Sequence, residues 1–530
     1  MAHDTVNRPL ARPVRALKLR PLTPLRWPAR LGLAVLAWSL CAGPAWPQRN
    51  ALPSLGEGEG ISLVAERQLG DRIIRELYRD PDYLEDAVLD DYVQKLWTPL
   101  IDAAVARGEL SPELRERFAW RILLGRDRSV NAFALPGGYL GVHLGLIATV
   151  TSRDELASVL AHELTHVTQR HIARSMEAQG RMTPWVIGSM ILGALAASKS
   201  PQATQALVVG GQAAAIQSQL SYSREMEREA DRIGFGVLSE AGYDPRGFVT
   251  MFGKLQQAAG LNDSGNFPYL RSHPLTTERI ADMHSRLPLG VAISSVPQDM
   301  EQAMVSARAR LLSQSQVDSL RAWTQLPQSL PPQATPAQQA GSLYAATLAH
   351  QMLRENDQAR KQWQALQTLT ASHTAAARLT RLLGADLQAA RGEYAPLVQG
   401  MQPSSMVNRW PRPELVAVAQ ALAHLPGHPA TASVVQQLRQ QVQNAPYDAQ
   451  AWNLLGSLLA GQGQKLAALR AEGEAQLVRM DLQGAQDRFR AAQDVARQGS
   501  LQAGDHIEAS IVDTRVRQIQ EQLREMQRER

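Results

Sequence analysis

The segment His162-Glu163-Leu164-Thr165-His166 sets two imidazoles four residues apart, with a carboxylate beside the first. Positions i and i+4 of a helix share a face, so both rings can reach one ion. The ion such a pair suits is zinc, with one coordination position left open for water. There the metal would lower the pKa of water to about 7 and polarise a carbonyl, while Glu163 acts as general base. The pentapeptide alone leaves the matter even, because short motifs arise by chance and helices with two histidines are common. A third ligand would decide it.

The stretch Glu227-Arg228-Glu229-Ala230-Asp231 can supply one. Glu227 and Asp231 again lie four apart on one helix face. Glu227 would complete a His2Glu set, and Asp231 would accept a hydrogen bond from the non-metal nitrogen of a ligand histidine. In isolation the stretch reads better as a solvated helix whose acids pair with Arg224, Arg228 and Arg232. Its place after the first motif, on a helix of its own, favours the ligand reading. Glu229 is a rival on a different face; Glu227 is preferred. His171 lies nine residues beyond His162, half a turn out of phase, and is expected to be structural. His143 alternates with apolar neighbours and receives no role. The single cysteine is Cys41, so any metal must be held by imidazoles and carboxylates.

These residues need elements to position them. Ser152 and Glu155 predict a capping box that opens a helix running through the two histidines to about Gln179. The preceding NAFALPGGYLGVHLGLI, residues 131–147, predicts a hairpin turning at Pro136-Gly137-Gly138. Residues 59–122 carry helical periodicity. A further helix starts near Ser221–Ser223 and stops at Gly242, and Asp244-Pro245 fits the start of the next. Between these helices, residues 184–217 are apolar and rich in Ala and Gly, broken by Lys199 and Pro201. Neither half is long enough to span a bilayer. They read as two buried hairpin helices or, alternatively, as a membrane-facing lid.

Helices are expected from about 298 to 325, and residues 327–340 read as a linker or long loop. Residues 341–530 are nearly all helical in pattern. Trp452, Leu455, Gly456, Leu459, Gly463 and Ala468 fall at tetratricopeptide spacings, and Gly473, Ala485, Phe489 and Ala492 match a second copy. Gly456 and Gly473 stand half a repeat apart, so the repeat count is open. Such arrays present a concave surface to peptides or partner proteins.

The formal net charge of +5 comes from the start of the chain. Residues 1–45 hold Arg8, Arg12, Arg15, Lys18, Arg20, Arg26 and Arg30 against Asp4, which leaves the remainder slightly acidic. No nucleic-acid partner is inferred from it. A basic stretch, the apolar run LGLAVLAWSLCAG and the small residues Gly43 and Ala45 predict a cleavable export signal; an uncleaved anchor is the alternative.

The HELTH segment, the EREAD segment and the NAFALPGG hairpin together resemble the gluzincin peptidases that include HtpX and the CAAX prenyl endopeptidase. Export and a C-terminal tetratricopeptide array make the chain more similar to the periplasmic branch that acts in outer-membrane β-barrel assembly. The resemblance implies a mainly α fold. Residues 46–297 would be a metallopeptidase domain with a small β-hairpin or sheet, 298–340 a helix and linker, and 341–530 the repeat domain. It implies one zinc ion per chain, held by His162, His166 and Glu227, with Glu163 catalytic and Asp231 orienting a ligand. It also implies that His273, in RSHPLTTER, occupies or restrains the fourth position. From the residues alone His273 is equally a surface histidine or an oxyanion donor. By the same resemblance Asn131, Ala132 and Phe133 belong to an edge strand that binds substrate backbone; otherwise they form a plain hairpin. The activity implied is degradation of misfolded or misassembled outer-membrane proteins. The partners implied are such envelope proteins and, through the repeats, the assembly machinery, with peripheral membrane association. The alternative is a repeat-based chaperone or adaptor whose metal site is largely repressed.

Overall fold

Two helices, one from each motif, pack against each other, and the elements around them hold them there. The computed structural model describes residues 61–178, 223–260, 267–288, 299–401, 409–498 and 505–528. Residues 1–45, expected to be an export signal, and the apolar 184–217 segment lie outside the described residues. In chain order the elements are α1 (Leu63–Tyr78), β1 (Tyr83–Leu84), α2 (Ala87–Ala106), α3 (Pro112–Arg117), β2 (Arg121–Gly125), β3 (Ala132–Leu135), β4 (Tyr139–His143) and α4 (Leu144–Thr149). Next come α5 (Arg153–Thr168), α6 (His171–Ala178), α7 (Arg224–Glu240), α8 (Arg246–Gly260), α9 (Tyr269–Ser272) and α10 (Thr277–Ser285). Among the described residues, no helix is long and apolar enough to cross a membrane.

The sheet runs in the order β1-β2-β4-β3, with β2 and β4 parallel and the other pairs antiparallel. The hairpin is β3–β4. Gly137 and Gly138 turn it at φ +76° and +85°, values that glycine tolerates and L side chains resist. Strands β1 and β2 were not legible: Ile122-Leu123-Leu124 is an apolar run too short for periodicity to type, and helical expectation covered it. β3 is an edge strand. The Asn131 carbonyl just before it accepts from the His143 amide, and the register pairs Ala132 with Val142 and Phe133 with Gly141. Bonded pairs alternate along an antiparallel ladder. Ala132 and Ala134 therefore turn their backbone groups away from β4.

Helix α5 begins as expected, with the Ser152 hydroxyl accepting from the Glu155 amide. The reciprocal half of the capping box is absent: the Glu155 carboxylate takes the Thr151 amide and the Lys254 ammonium instead. Nor does the helix reach Gln179. It ends at Thr168, Arg170 adopts φ +52°, and α6 starts at His171. A non-glycine residue in that region needs outside support; the Arg170 guanidinium binds the buried carboxylate of Glu66 on α1 at 2.9 Å. From Asp154 to Thr168 every residue of α5 is buried. Such a helix shows no amphipathic stripe, and each polar side chain on it needs a partner inside the protein.

Helix α7 is capped by Ser223, whose hydroxyl accepts from the Met226 amide, and Glu225 and Glu227 fill its first turn. Gly242 closes the helix at φ +80°, and the Asp244 carboxylate accepts from the Arg246 amide at the start of α8. Glu227, Asp231 and Gly234 share one face. A Cβ at Gly234 would lie 3.1 Å from the Ala161 carbonyl oxygen and 3.2 Å from the His162 nitrogen. Glycine therefore sets how closely α7 approaches α5.

The remaining described elements are all helices: α11 (Met300–Ser313), α12 (Val317–Thr324), α13 (Leu326–Ser329), α14 (Pro336–Met352), α15 (Asn356–Thr370), α16 (Thr374–Ala390) and α17 (Tyr394–Gly400). They continue with α18 (Arg412–Leu422), α19 (Thr431–Asn444), α20 (Ala449–Gly461), α21 (Lys465–Val478), α22 (Leu482–Gln498) and α23 (Asp505–Arg528). Within residues 327–340, α14 starts on a reciprocal capping box between Thr335 and Gln338. These helices are docked along the acidic start of α2. Arg308 binds Asp86 at 2.7 Å, Arg378 binds Asp91 at 2.7 Å, Arg412 lies 3.7 Å from Asp90, and Arg479 binds Glu85 at 2.7 Å. One hydrophobic core runs from α2 through α11 and α14 to α21. Arg308 also reaches Asp386 and the Tyr344 hydroxyl. Losing one partner from a buried pair of this kind costs about 3–5 kcal/mol.

Candidate metal centre

Four buried side chains converge where α5, α7 and the turn after α9 meet. His162 and His166 come from α5, Glu227 from α7 and His273 from the C-terminal end of α9. One ligand atom from each lies within 4.8 Å of all the others. His162 Nε2 is 3.0 Å from His166 Nε2 and 3.3 Å from His273 Nδ1. Glu227 Oε1 stands 3.0 Å from His273 Nδ1 and 3.5 Å from His166 Nε2, and its Oε2 is 3.6 Å from His162 Nε2.

The donor set fits a divalent cation. A neutral imidazole carries one proton on two nitrogens, so three ring nitrogens at 3.0–3.3 Å cannot all be satisfied by donating to one another. A cation among them engages every lone pair and the carboxylate together, in the His/Glu combination zinc accepts. The electrostatics agree. Burial alone would depress His162, but the carboxylates of Asp231 and Glu227 outweigh it and hold this imidazole at about 9. Burial, reinforced by His162, keeps His166 well below its usual value. Burial would raise Glu227, yet His273 and His162 hold it well below the ordinary carboxylate range.

A second layer of groups orients the first. Asp231 Oδ1 lies 3.0 Å from His162 Nδ1, leaving Nε2 to face the cluster. The Arg279 guanidinium donates to both Asp231 oxygens at 2.6 and 2.8 Å and to the Pro274 carbonyl at 2.9 Å, and pairs with Glu227 at 2.7 Å. One side chain thus ties Glu227 and Asp231 of α7 to the turn that carries His273. The Tyr269 ring stacks on His273 with centroids 4.5 Å apart. Glu163 is fully buried; its Oε2 accepts the Ala134 amide of edge strand β3 at 2.9 Å, and its Oε1 lies 3.4 Å from His273 Nε2. Burial pushes the Glu163 carboxyl up.

Sequence reasoning named the four convergent residues, Glu163 and Asp231, and the structure places all six together. It missed Arg279, whose partners are distant in sequence. Of the hairpin residues, Asn131 accepts the His143 amide and Phe133 pairs with Gly141, while Ala132 turns its backbone groups away from β4 and is buried. Arg228 pairs with Glu225 and Glu278 at the surface, so the charged-helix reading of the EREAD stretch holds for Arg228 and not for the acids facing α5. Glu229 lies away from the cluster. His171, kept as structural, has its Nδ1 2.8 Å from His166 Nδ1. His143 is buried, its Nδ1 2.9 Å from the Ser129 hydroxyl.

Residues 100–287, which contain the whole cluster, match peptidase family M48. The beta-barrel assembly-enhancing protease of Escherichia coli (strain K12) is 30% identical over 492 residues, 90% of this chain and 93% of its own. The protein of that name from Yersinia pestis is 29% identical over 435 residues, 81% of this chain and 84% of its own. The mitochondrial metalloendopeptidase OMA1 of Arabidopsis thaliana is 33% identical over 198 residues, 37% of this chain and 36% of its own.

Proposed function

The chain belongs to peptidase family M48 and is a metalloendopeptidase, and from that premise we propose a zinc enzyme of envelope protein quality control. One zinc ion per chain would sit among His162, His166 and Glu227, with His273 at the fourth position. When bound, zinc supplies Lewis acidity toward a carbonyl and lowers the pKa of water. Glu163 takes the proton of the attacking water and returns it to the leaving amine. The Ala134 amide holds the carboxylate in place for both transfers. Asp231 fixes the tautomer of His162, and Arg279 fixes Asp231 and Glu227. Ala132, at the edge of the sheet, pairs with the backbone of an extended substrate, which selects unfolded segments over folded ones.

The observation that carries this reading is the convergence of His162, His166, Glu227 and His273 within 4.8 Å, with Glu163 between β3 and the cluster. Glu163→Gln should keep zinc and lose cleavage of casein. Retained cleavage in that variant would overturn the assignment.

The substrates of this reading are misfolded or misassembled outer-membrane proteins, and the similarity to beta-barrel assembly-enhancing proteases supports a role in β-barrel assembly. We place the chain in the periplasm, delivered by a cleaved signal within residues 1–45. The C-terminal helices act as a tetratricopeptide array that holds substrates and the β-barrel assembly machinery. Fractionation with amino-terminal sequencing of the mature chain tests the location. Crosslinking from the array tests the partners. A second reading, an adaptor with a largely repressed site, is favoured by His273 standing 3.0 Å from Glu227 and 3.4 Å from Glu163. His273→Ala separates the two: a restrained enzyme gains casein cleavage, and an adaptor with a silent site does not.

A further inference from the structure

We propose that His171 and Glu229 form a positioning relay for His166, so that the site reaches one carboxylate more than its ligand set contains. The inference rests on the metal-site reading above. His166 presents Nε2 to the cluster, so Nδ1 carries its proton and needs an acceptor inside the protein. The acceptor at hand is His171 Nδ1 at 2.8 Å. The ring then carries its own proton on Nε2, which donates to Glu229 Oε2 at 3.1 Å. Arg174 anchors that carboxylate at 2.8 Å. His171 is fully buried, whereas Glu229 is about a quarter exposed. The two imidazole ligands are thus oriented differently: His162 by Asp231 directly, and His166 through a neutral imidazole that ends on a half-buried ion pair.

The backbone is shaped for this contact. On a continuous helix His171 would stand five residues past His166, roughly 140° away around the axis. The break after Thr168, with Arg170 at φ +52°, swings His171 back onto His166. The Arg170–Glu66 pair that supports the break belongs to α1, outside the motif helices. A strained residue held by an ion pair to a buried carboxylate is a costly way to place a merely structural histidine. It is an effective way to place a hydrogen-bond acceptor behind a ligand. Outer partners of this kind fix the ligand's tautomer and raise its basicity.

The test is the zinc dissociation constant of the full mature chain, measured by competition with a chromogenic chelator, together with the absorption spectrum of the cobalt-loaded protein. Circular dichroism checks folding of each variant. His171→Phe, which keeps a ring but no acceptor, should weaken zinc binding by about 10–100-fold and alter the cobalt bands. His171→Asn, whose amide oxygen stands near the Nδ1 position, should recover most of that loss. Glu229→Ala, at the half-exposed end, should weaken binding about threefold or more and decides the matter if His171→Phe does not fold. Zinc affinity within about twofold of the parent in a folded His171→Phe, or in Glu229→Ala, overturns the relay. So does Asn binding as weakly as Phe, which marks a packing role. A parent chain that binds no zinc overturns the metal reading itself, an outcome distinct from a parent that binds zinc and variants that bind it equally well.

Discussion

Arg279→Met should destabilise the metal-free catalytic core by about 3–5 kcal/mol. The guanidinium is nearly inaccessible and serves Asp231 twice, Glu227 once and the Pro274 carbonyl once. Methionine roughly fills the space but leaves the two buried carboxylates with the His162 imidazole in place of a guanidinium that bonded both, and breaking one side of such a pair costs that much because the remaining charge stays buried. Burial alone would raise both acids, but Arg279 with His162 holds Asp231, and His273 with His162 holds Glu227, below their ordinary values. The folded chain therefore resists protonation more than the unfolded chain does. The clamp's stabilisation is complete above about pH 4 and is lost as pH falls further. The parent–variant difference should accordingly shrink in acid. Urea unfolding of chelator-treated protein, followed by circular dichroism at pH 7 and again near pH 3.5, measures both features. A loss below about 1 kcal/mol at pH 7 would refute the clamp, as would a difference that grows in acid.

Gly234→Val should lower zinc affinity at least tenfold and cost about 1–3 kcal/mol, because its new Cβ meets backbone of α5 on the His162 side, where no flexible side chain can yield. Gly253→Ala, which meets nothing within 4 Å, should instead gain up to about 1 kcal/mol; zinc titration and thermal unfolding of the two variants check the contrast. Truncation after residue 340 should yield aggregated protein, because it strips Tyr344 and Asp386 from Arg308 and exposes the core shared by α11 and α14; a monodisperse, folded fragment on size-exclusion chromatography would refute that. Such a deletion is therefore no clean way to separate binding from cleavage. His273→Ala should raise casein cleavage, read as initial rate at saturating zinc.

The residues of the site were legible because helix geometry converts a spacing of four into a shared face. His162 with His166, and Glu227 with Asp231, needed only that rule and a reason to bring two helices together. The hairpin was legible through Pro136-Gly137-Gly138, where turn chemistry is local. The end of α5 was not. Residues 169–179 keep a helical pattern, and the break depends on Glu66, a hundred residues earlier, holding Arg170 in a conformation that its own sequence does not favour. The role of His171 followed from that break, so phase counting along an unbroken helix set it aside. Arg279 was hidden for the same reason: a lone arginine in TTER has no signal until the fold brings two acids to it. The docking of the C-terminal helices lay in Glu85, Asp86, Asp90 and Asp91, a charge run that in sequence reads as an ordinary solvated helix start.

The central claim is that His162, His166 and Glu227 hold zinc and that cleavage depends on it. The direct measurement is the zinc content of the purified mature chain alongside casein cleavage, before chelation, after chelation and after zinc is restored. The account predicts one zinc per chain, loss of cleavage with the metal and its return on reconstitution. It also predicts that Glu227→Ala neither retains zinc nor recovers cleavage. Cleavage that survives complete removal of the metal would contradict it, as would a Glu227→Ala chain that keeps full zinc and full activity.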